Sequence, residues 1–244
     1  GHLIDRGPLP LPLPLSALQA VVPLIVAVLL TRGHEGPRGV RRLLRRGIDP
    51  VGIRPAWYLA VLVTAPLVFT ASYVIMRTLG SPPPLRSFNV LAAVALTVLF
   101  LASAYTEEVG WTGYLTDPLQ KRVGALTASL LIGLFRAAWH VNGWYFEAGN
   151  SLLWTAGQFT GTVAWRVLIA WTYANTRSGL AAVLFHASMN LGTFLIFDPI
   201  TMYDPLLTAA IAVGVAVVVV LLYGPATLAG RTATRTPASP SHRP

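Results

Sequence analysis

Long apolar runs with few charged residues recur along this chain, and they constrain its fold more than any other feature. Of its 244 residues, 54% are hydrophobic and 11% are charged. A helix needs about 20 apolar residues to cross the hydrocarbon core of a bilayer. The chain is therefore predicted to be an all-α, polytopic transmembrane helix bundle in the cell membrane, with about seven spans. The predicted spans are 16–31, 57–76, 89–115, 123–140, 152–173, 179–197 and 206–223.

Seven arginines lie between residues 32 and 54, and they predict the orientation of the bundle. Loops rich in Lys and Arg stay on the cytoplasmic side, so this segment is predicted to lie inside, with Val40, Leu43 and Leu44 as a short amphipathic stripe. The N-terminus is then outside and the C-terminus inside. The net charge of +9 is attributed to topology and to contact with anionic lipids, so the bilayer is an expected partner and nucleic acid is not.

Two terminal segments are predicted to lie outside a transmembrane domain at 16–223. Residues 1–15 form a Pro-rich lead-in, whose alternating prolines prevent a regular helix. Residues 224–244 are rich in Ala, Thr, Pro, Ser and Arg and are predicted to be a disordered basic tail. The chain has no cysteine, so neither a disulfide nor a thiolate metal site is expected.

Two adjacent carboxylates, Glu107 and Glu108, end a long apolar run. A carboxylate within a bilayer costs about 2.5–3.5 kcal/mol unless it is protonated, paired or directed into a polar cavity. The histidines within the spans are His140 and His186, and Asn190 follows His186 by one helical turn. These groups are predicted to converge in one polar pocket, because each then supplies partners to the others.

Such a set contains the groups needed to hydrolyse a peptide bond without a serine or cysteine nucleophile. A buried Glu can act as a general base toward water, a neutral His can share that role or bind a metal, and an Asn amide can donate to an oxyanion. Other interpretations stay open. The glutamates could end a helix near the headgroups, the histidines could join helices by hydrogen bonds, and a proton-coupled transporter would use the same groups as a relay.

Three ordered motifs resemble those of the CPBP intramembrane proteases, a family that includes CAAX prenyl endopeptidases and bacterial proteins linked to bacteriocin processing or immunity. The resemblance covers about residues 101–195, and 171–176 is similar to the bacterial branch. It implies a membrane-embedded peptidase of glutamate type or of metal-dependent type. The matching segments are Glu107-Glu108-Val109-Gly110-Trp111 followed by Gly113-Tyr114-Leu115, then Phe135-Arg136-Ala137-Ala138-Trp139-His140, and His186-Ala187-Ser188-Met189-Asn190.

The resemblance implies a role for each of these polar residues. Glu107 and His140 would activate water with support from Glu108, while His186 and Asn190 would stabilise the oxyanion. Glu107, His140 and His186 are possible ligands of Zn²⁺ or another divalent ion, and no other cofactor is expected. The substrate would be a membrane-associated peptide or protein, of CAAX-like type.

The sequence departs from the family pattern at two positions. Thr112 stands where the motif has an arginine, and Arg136 stands at the aromatic position four residues before His140. We expect Arg136 to supply the guanidinium that is missing at 112, with Arg166 as the other candidate or as a side chain that extends to the cytoplasmic surface. Trp111 is expected to support the site, and the pocket is expected to open toward the cytoplasm. The departure at 112 also favours an alternative function, that of a catalytically silent scaffold or bacteriocin-immunity protein.

Overall fold

Helices form most of the described part of the chain, which in this computed structural model comprises residues 15–81, 90–197 and 203–230. The predicted all-α bundle is confirmed. The α-helices are α1 (Val22–Arg46), α2 (Pro55–Thr78), α3 (Val90–Glu108), α4 (Asp117–Val123), α5 (Ala125–Val141), α6 (Leu152–Thr176), α7 (Gly179–Ile196) and α8 (Pro205–Tyr223). A 3-10 helix at Leu15–Val21 precedes α1, and π-helical segments at Val109–Thr116 and Asn142–Glu147 follow α3 and α5.

The seven α-helices of 17 or more residues in the described ranges correspond to the seven predicted spans. Five of them, α1, α2, α3, α7 and α8, are long and apolar enough to cross a membrane, α1 and α3 together with the helical segments joined to them. The other two are α5, which has 17 residues, and α6, whose interior carries Gln158 and Arg166. This architecture is that of a multi-pass membrane protein. Its orientation stays a prediction.

The basic segment after the first predicted span is helical rather than a loop, because α1 continues through most of it. The backbone turns sharply at Gly36, where φ is +67°, a conformation that glycine adopts without steric cost. Pro37 then opens the second part of α1, where its missing N–H is tolerated. The predicted amphipathic stripe therefore lies on a helix, with Leu43 buried and Arg42 exposed.

The third span continues without a break from α3 through the first π-helical segment into α4, as expected for residues up to about Leu115. The Thr116 hydroxyl donates to the carbonyl of Trp111, five residues earlier, at 2.7 Å, which fits the wider turn of a π-helix. Because the helix continues past them, Glu107 and Glu108 lie inside the bundle, and both are buried.

The central helix of the bundle is α6, which packs against α5, α7 and α8. Its Leu168 belongs to the main hydrophobic core together with Phe185 of α7 and Phe69 of α2. Gly133 allows α5 to approach α6 closely, since a Cβ atom at this position would lie 3.0 Å from the Cα atom of Val163. This close approach brings the middle of α6 beside the site residues of α5.

The segment that follows α8 packs against the bundle, so the prediction of disorder from residue 224 onward is wrong for residues 224–230. The carbonyls of Pro225 and Ala226 accept hydrogen bonds of 2.9 and 2.8 Å from the first N–H groups of α5. Those groups lack partners within their own helix, which explains why the segment is held in place. Residues 1–14 of the predicted lead-in and residues 231–244 of the predicted tail lie outside the described residues.

Candidate active site

Five predicted side chains, carried by three helices, line a single cavity of about 190 Å³ inside the bundle. The first comes from the end of α3, the next two from α5, one turn apart, and the last two from α7, also one turn apart. These residues are Glu107, Arg136, His140, His186 and Asn190. The spacing of four residues within each pair places both side chains on the same helix face. The packing of α7 against α3, and of α5 and α7 against α6, brings all five together.

Glu107 faces the cavity from the end of α3 and has two partners on α5. Its Oε2 atom accepts a hydrogen bond of 3.1 Å from Nε of Arg136 and lies 3.9 Å from Nε2 of His140. The His140 ring stacks on Trp144 with 5.2 Å between ring centroids. The His140 side chain keeps 26% of its surface exposed, so the protein does not seal this side of the site.

Glu108 points away from the cavity into a fully buried network. Its Oε2 atom accepts from Nη1 of Arg166 at 2.8 Å and from the Thr112 hydroxyl at 2.5 Å. Nη2 of Arg166 donates to the hydroxyls of Thr112 and Thr116, each at 3.0 Å. The two adjacent glutamates therefore have different environments, one open to the cavity and one sealed by the protein.

Arg166 is the residue that supplies the guanidinium to Glu108, which corrects the expectation that Arg136 would do so. Arg166 does not extend to the surface either, because its side chain is 0% exposed. The close approach of α6 to Gly133 places Arg166 against α5, where a Cβ atom at that glycine would lie 3.2 Å from Cβ of Arg166. Thr112 fits this arrangement because its short hydroxyl side chain leaves room for a guanidinium from another helix.

Arg136 instead joins Glu107 to His186. Its Nη2 atom lies 2.6 Å from Nε2 of His186, and Nδ1 of the same ring lies 3.1 Å from Oε1 of Glu108. Since arginine donates hydrogen bonds and does not accept them, Nε2 of His186 is the acceptor. The proton of the neutral ring is then on Nδ1, which donates to Glu108. His186 is thus fixed in one tautomer by partners on both sides.

The buried charges of this network balance. Two carboxylates, Glu107 and Glu108, face two guanidinium groups, Arg136 and Arg166, and all four side chains are at most 7% exposed. Removing one partner of a buried ion pair leaves an uncompensated charge and is strongly destabilising. Removal of any one of the four charged groups is therefore expected to destabilise the protein.

The predicted metal ligands do not form a metal site in this conformation. Within the described ranges, no group of three or more His, Asp or Glu side chains lies close enough to hold an ion. Arg136 occupies the position between two of the expected ligands, since it contacts both Glu107 and His186. A metal ion between Glu107 and His186 would have to displace the Arg136 guanidinium. In this arrangement Glu107, His140 and His186 therefore do not fit a divalent ion.

Trp111 does not line the cavity, and its predicted supporting role remains a prediction. Its indole ring lies 5.8 Å from the ring of Phe135, which stacks on Trp139 with 6.0 Å between centroids. These aromatic side chains line a separate apolar cavity of about 330 Å³ against α1.

The cavity wall also contains residues that no motif in the sequence indicates. Gln158 and Trp165 come from α6, and Tyr203 precedes α8. Burial raises the pKa of the Tyr203 phenol, which keeps its hydroxyl protonated as a hydrogen-bond donor. Gln158 is one of the few polar residues in an apolar span, which is the signal that identified the other site residues. Tyr203 lies in a connection and carries no such signal.

The cavity lies toward the bundle end that carries the α5–α6 and α7–α8 connections, which supply Trp144 and Tyr203. The predicted orientation places these connections outside. At the opposite end, Arg46 of α1 contacts Asp117 of α4 and Tyr173 of α6, each at 2.6 Å. The expectation that the pocket opens on the side of the basic segment therefore does not agree with the packing.

Comparison with known proteins relates the chain to one family. A family model described as type II CAAX prenyl endopeptidase Rce1-like matches residues 89–192. CAAX prenyl protease 2 of Methanococcus maripaludis is 32% identical over 118 residues, which are 45% of this chain and 43% of that relative. The match therefore covers less than half of the length of the curated relative.

The matched segment contains every predicted site residue, from Glu107 to Asn190. It also contains Arg166, which supplies to Glu108 the guanidinium that Thr112 lacks. Residues 89–192 thus match the Rce1-like family of type II CAAX prenyl endopeptidases, and the resemblance to the CPBP intramembrane proteases predicted from the sequence is confirmed.

Proposed function

We propose that this protein is an intramembrane endopeptidase that hydrolyses a peptide bond of a membrane-associated substrate. The observation that carries the proposal is the cavity inside the helix bundle, where Glu107, His140 and Asn190 face the same space. A carboxylate, an imidazole and an amide in one cavity supply a base, a proton carrier and a hydrogen-bond donor, and these are the groups that water-dependent amide hydrolysis requires.

Glu107 is the proposed general base. Its Oε2 atom lies 3.9 Å from Nε2 of His140, a separation at which one water molecule can bond to both groups. The proton of the attacking water passes to the Glu107 carboxylate, and the hydroxide oxygen forms a bond to the scissile carbonyl carbon. When the carbon–nitrogen bond breaks, the same proton passes to the leaving amine.

Asn190 and His186 have different proposed tasks. Asn190 lines the cavity, and its amide is a candidate donor to the carbonyl oxygen of the substrate. His186, expected to act beside Asn190, carries its proton on the nitrogen that faces Glu108. It therefore holds Arg136 in place in this state and presents no N–H group to the oxyanion.

The proposed substrate class is a CAAX-like peptide whose prenyl chain keeps it at the membrane. The name of the relative, CAAX prenyl protease 2, supports this class, and so does the position of the site in a bundle with five helices apolar enough to cross a membrane. A prenyl chain partitions into the bilayer because each buried CH₂ group contributes about 0.8 kcal/mol. The substrate would thus reach the helices already bound to the membrane.

An assay on the full chain in lipid nanodiscs tests the proposal. The probes are internally quenched peptides that end in a CAAX sequence, with and without a farnesyl group on the cysteine. We expect cleavage of the farnesylated probe, a loss of about 10²–10⁴-fold in kcat/KM for Glu107→Gln, as for other general bases, and a comparable loss for His140→Ala. Glu35→Gln is the matched control, because Glu35 pairs with Arg42 at the surface and does not line the cavity.

Two results would refute this assignment. Cleavage by Glu107→Gln at the rate of the unaltered protein would remove Glu107 as the base. Loss of cleavage on dialysis against a chelator, with recovery on addition of Zn²⁺, would show that a metal acts at this site and that Arg136 must move to admit it.

A catalytically silent scaffold is the second candidate, and the ion pair between Glu107 and Arg136 favours it. A base that is fully paired in the resting state loses some of its ability to accept a proton. For a silent scaffold we expect no cleavage of either probe, together with the same loss of stability on mutation of the buried charges.

A further inference from the structure

Arg136 has unused hydrogen-bonding capacity at the cavity. An arginine has five N–H donors in a fixed planar fork. Nε donates to Glu107 at 3.1 Å and Nη2 to His186 at 2.6 Å, whereas Nη1 is buried and has no hydrogen-bond partner among the described residues. The side chain is only 4% exposed, so water does not satisfy this group as it would at the surface.

Such an unpaired group is unusual. Buried polar atoms nearly always have a partner, and an exception calls for an explanation such as a role in binding or catalysis. Arg136 lines the cavity together with Glu107 and His140, and its two bonded nitrogens hold the plane of the guanidinium in place. Nη1 therefore belongs to a guanidinium of fixed orientation, whose Nε contacts the proposed base.

The charge balance of the site indicates what this donor binds. At rest, Arg136 is paired with the Glu107 carboxylate, so the cavity carries no net charge from the two. An anionic ligand would add an uncompensated negative charge there, whereas a neutral amide carbonyl would not. When Glu107 takes the proton from water it becomes neutral, and Arg136 loses its counter-charge at the step in which the carbonyl oxygen becomes negative.

On this basis, and resting on the peptidase function proposed above, we infer that Arg136 is a catalytic residue that donates from Nη1 to the oxyanion. The water O–H bond breaks toward Glu107, the hydroxide oxygen bonds to the carbonyl carbon, and the carbonyl π electrons move to its oxygen. The negative charge thus passes from Glu107 to the oxyanion while Arg136 stays in contact with both. When the intermediate collapses, the carbonyl double bond forms again and the carbon–nitrogen bond breaks. Glu107 gives its proton to the leaving amine, so the negative charge returns to Glu107.

This assignment gives the arginine at this position a function that differs from that of the aromatic residue in the family motif. Asn190 would remain as a second donor, and His186 would act as a positioning residue that fixes Nη2 of Arg136 at 2.6 Å.

The experiment compares the unaltered protein with Arg136→Gln and Arg136→Lys in the nanodisc assay, using the farnesylated quenched peptide. The control is Arg122→Gln, since Arg122 is exposed on α4. Two inhibitors based on the same peptide are added: a trifluoromethyl ketone, which hydrates to a tetrahedral species, and the methyl ketone, which stays trigonal. Arg136→Lys keeps a cation for Glu107 and serves where the glutamine variant does not fold.

We expect Arg136→Gln to lower kcat by about 10²–10³-fold with KM unchanged, the effect of removing one oxyanion donor. The Ki of the trifluoromethyl ketone should rise by the same factor, because a transition-state analogue follows kcat/KM, whereas the Ki of the methyl ketone should not change. The kcat of Arg136→Lys should lie between those of the unaltered protein and Arg136→Gln, since an ammonium keeps the charge but lacks the planar fork of donors.

Three outcomes would overturn the inference. If kcat falls but the Ki of the trifluoromethyl ketone does not change, Arg136 only positions Glu107. If the unaltered protein cleaves the peptide and the Arg136 variants match it, the inference fails while the proposed peptidase function stands. If the unaltered protein cleaves nothing, both fail together.

Discussion

At the scale of single residues, the site shows how two adjacent glutamates acquire different environments. Glu107 faces a cavity and an imidazole, whereas Glu108 has three partners within the protein. A carboxylate that keeps an open face can exchange protons with a substrate, and one that is enclosed by donors remains charged and holds its neighbours in place. The second carboxylate therefore organises His186, through which it also acts on Arg136.

Removal of the Arg166 guanidinium should leave the buried Glu108 carboxylate without its counter-charge and lower the stability of the protein. We expect Arg166→Gln to destabilise the protein by about 3–5 kcal/mol, the usual loss when a buried ion pair is broken from one side. Thermal unfolding in detergent micelles measures it. The surface variant Arg122→Gln should change the stability by less than about 0.5 kcal/mol.

A second substitution should restore part of this stability. Thr112→Arg in the Arg166→Gln background places a guanidinium four residues from Glu108 on the same helix and uses the volume that the shorter side chain vacates. We expect a higher unfolding temperature than for Arg166→Gln alone. The same substitution in an Arg136→Leu background should not restore stability, because Arg136 pairs with Glu107. An equal rescue in both backgrounds would contradict the assignment of partners.

At the scale of the helices, the continuation of α3 into a π-helical segment decides the depth of the glutamates. A straight α3 that ended at Glu108 would leave both carboxylates at a helix terminus. The wider turns at Val109–Thr116 continue the span, and α1 packs directly on this segment. Glycine at position 110 makes that contact possible, since a side chain there would meet the backbone of Pro23.

Substitution of this glycine should therefore loosen α1 from the bundle. A Cβ atom at 110 would lie 2.6 Å from the carbonyl oxygen of Pro23, so we expect Gly110→Ala to destabilise by about 1–3 kcal/mol through overpacking. The matched control is Gly214→Ala on α8, where a Cβ atom meets nothing within 4 Å. Equal unfolding temperatures for the two variants would show that the contact between α1 and the π-helical segment is not tight.

At the scale of the whole molecule, the two ends of the bundle differ in chemistry. One end holds the ionic cluster of Arg46, Asp117 and Tyr173 and the basic half of α1. The other carries the connections that border the cavity. If the basic end lies in the cytoplasm, as the positive-inside rule predicts, a substrate of the proposed peptidase would approach the site from the opposite side of the membrane.

Labelling of single cysteines tests this arrangement, and the absence of native cysteine makes it direct. A maleimide that cannot cross the membrane should label Ser81→Cys and Phe146→Cys in intact cells, because both positions are exposed. Val51→Cys and Lys121→Cys should react only after the cells are permeabilised. The reverse pattern would overturn the orientation, and a mixed pattern would overturn the number of spans.

The sequence by itself determined the class of protein, most of the helices and five of the polar residues that line the cavity. Helix bounds follow from local patterns, and α6 begins at Leu152 and α7 at Gly179 as predicted. The site residues could be found because polar groups are rare in apolar spans, where each must have a functional or structural partner. The secondary structure of residues 32–46 did not follow from the sequence, since many arginines indicate a surface position but occur in both helices and loops.

Only the tertiary structure decided which arginine pairs with which glutamate. Whether Arg136 or Arg166 pairs with Glu108 depends on how closely α6 approaches α5, and Gly133 sets that approach. The tautomer of His186 and the unused donor of Arg136 follow from the same pairing. Ion pairs between helices depend on distances across the bundle, which residue spacing along one helix does not contain, so only the packed structure assigns the partners.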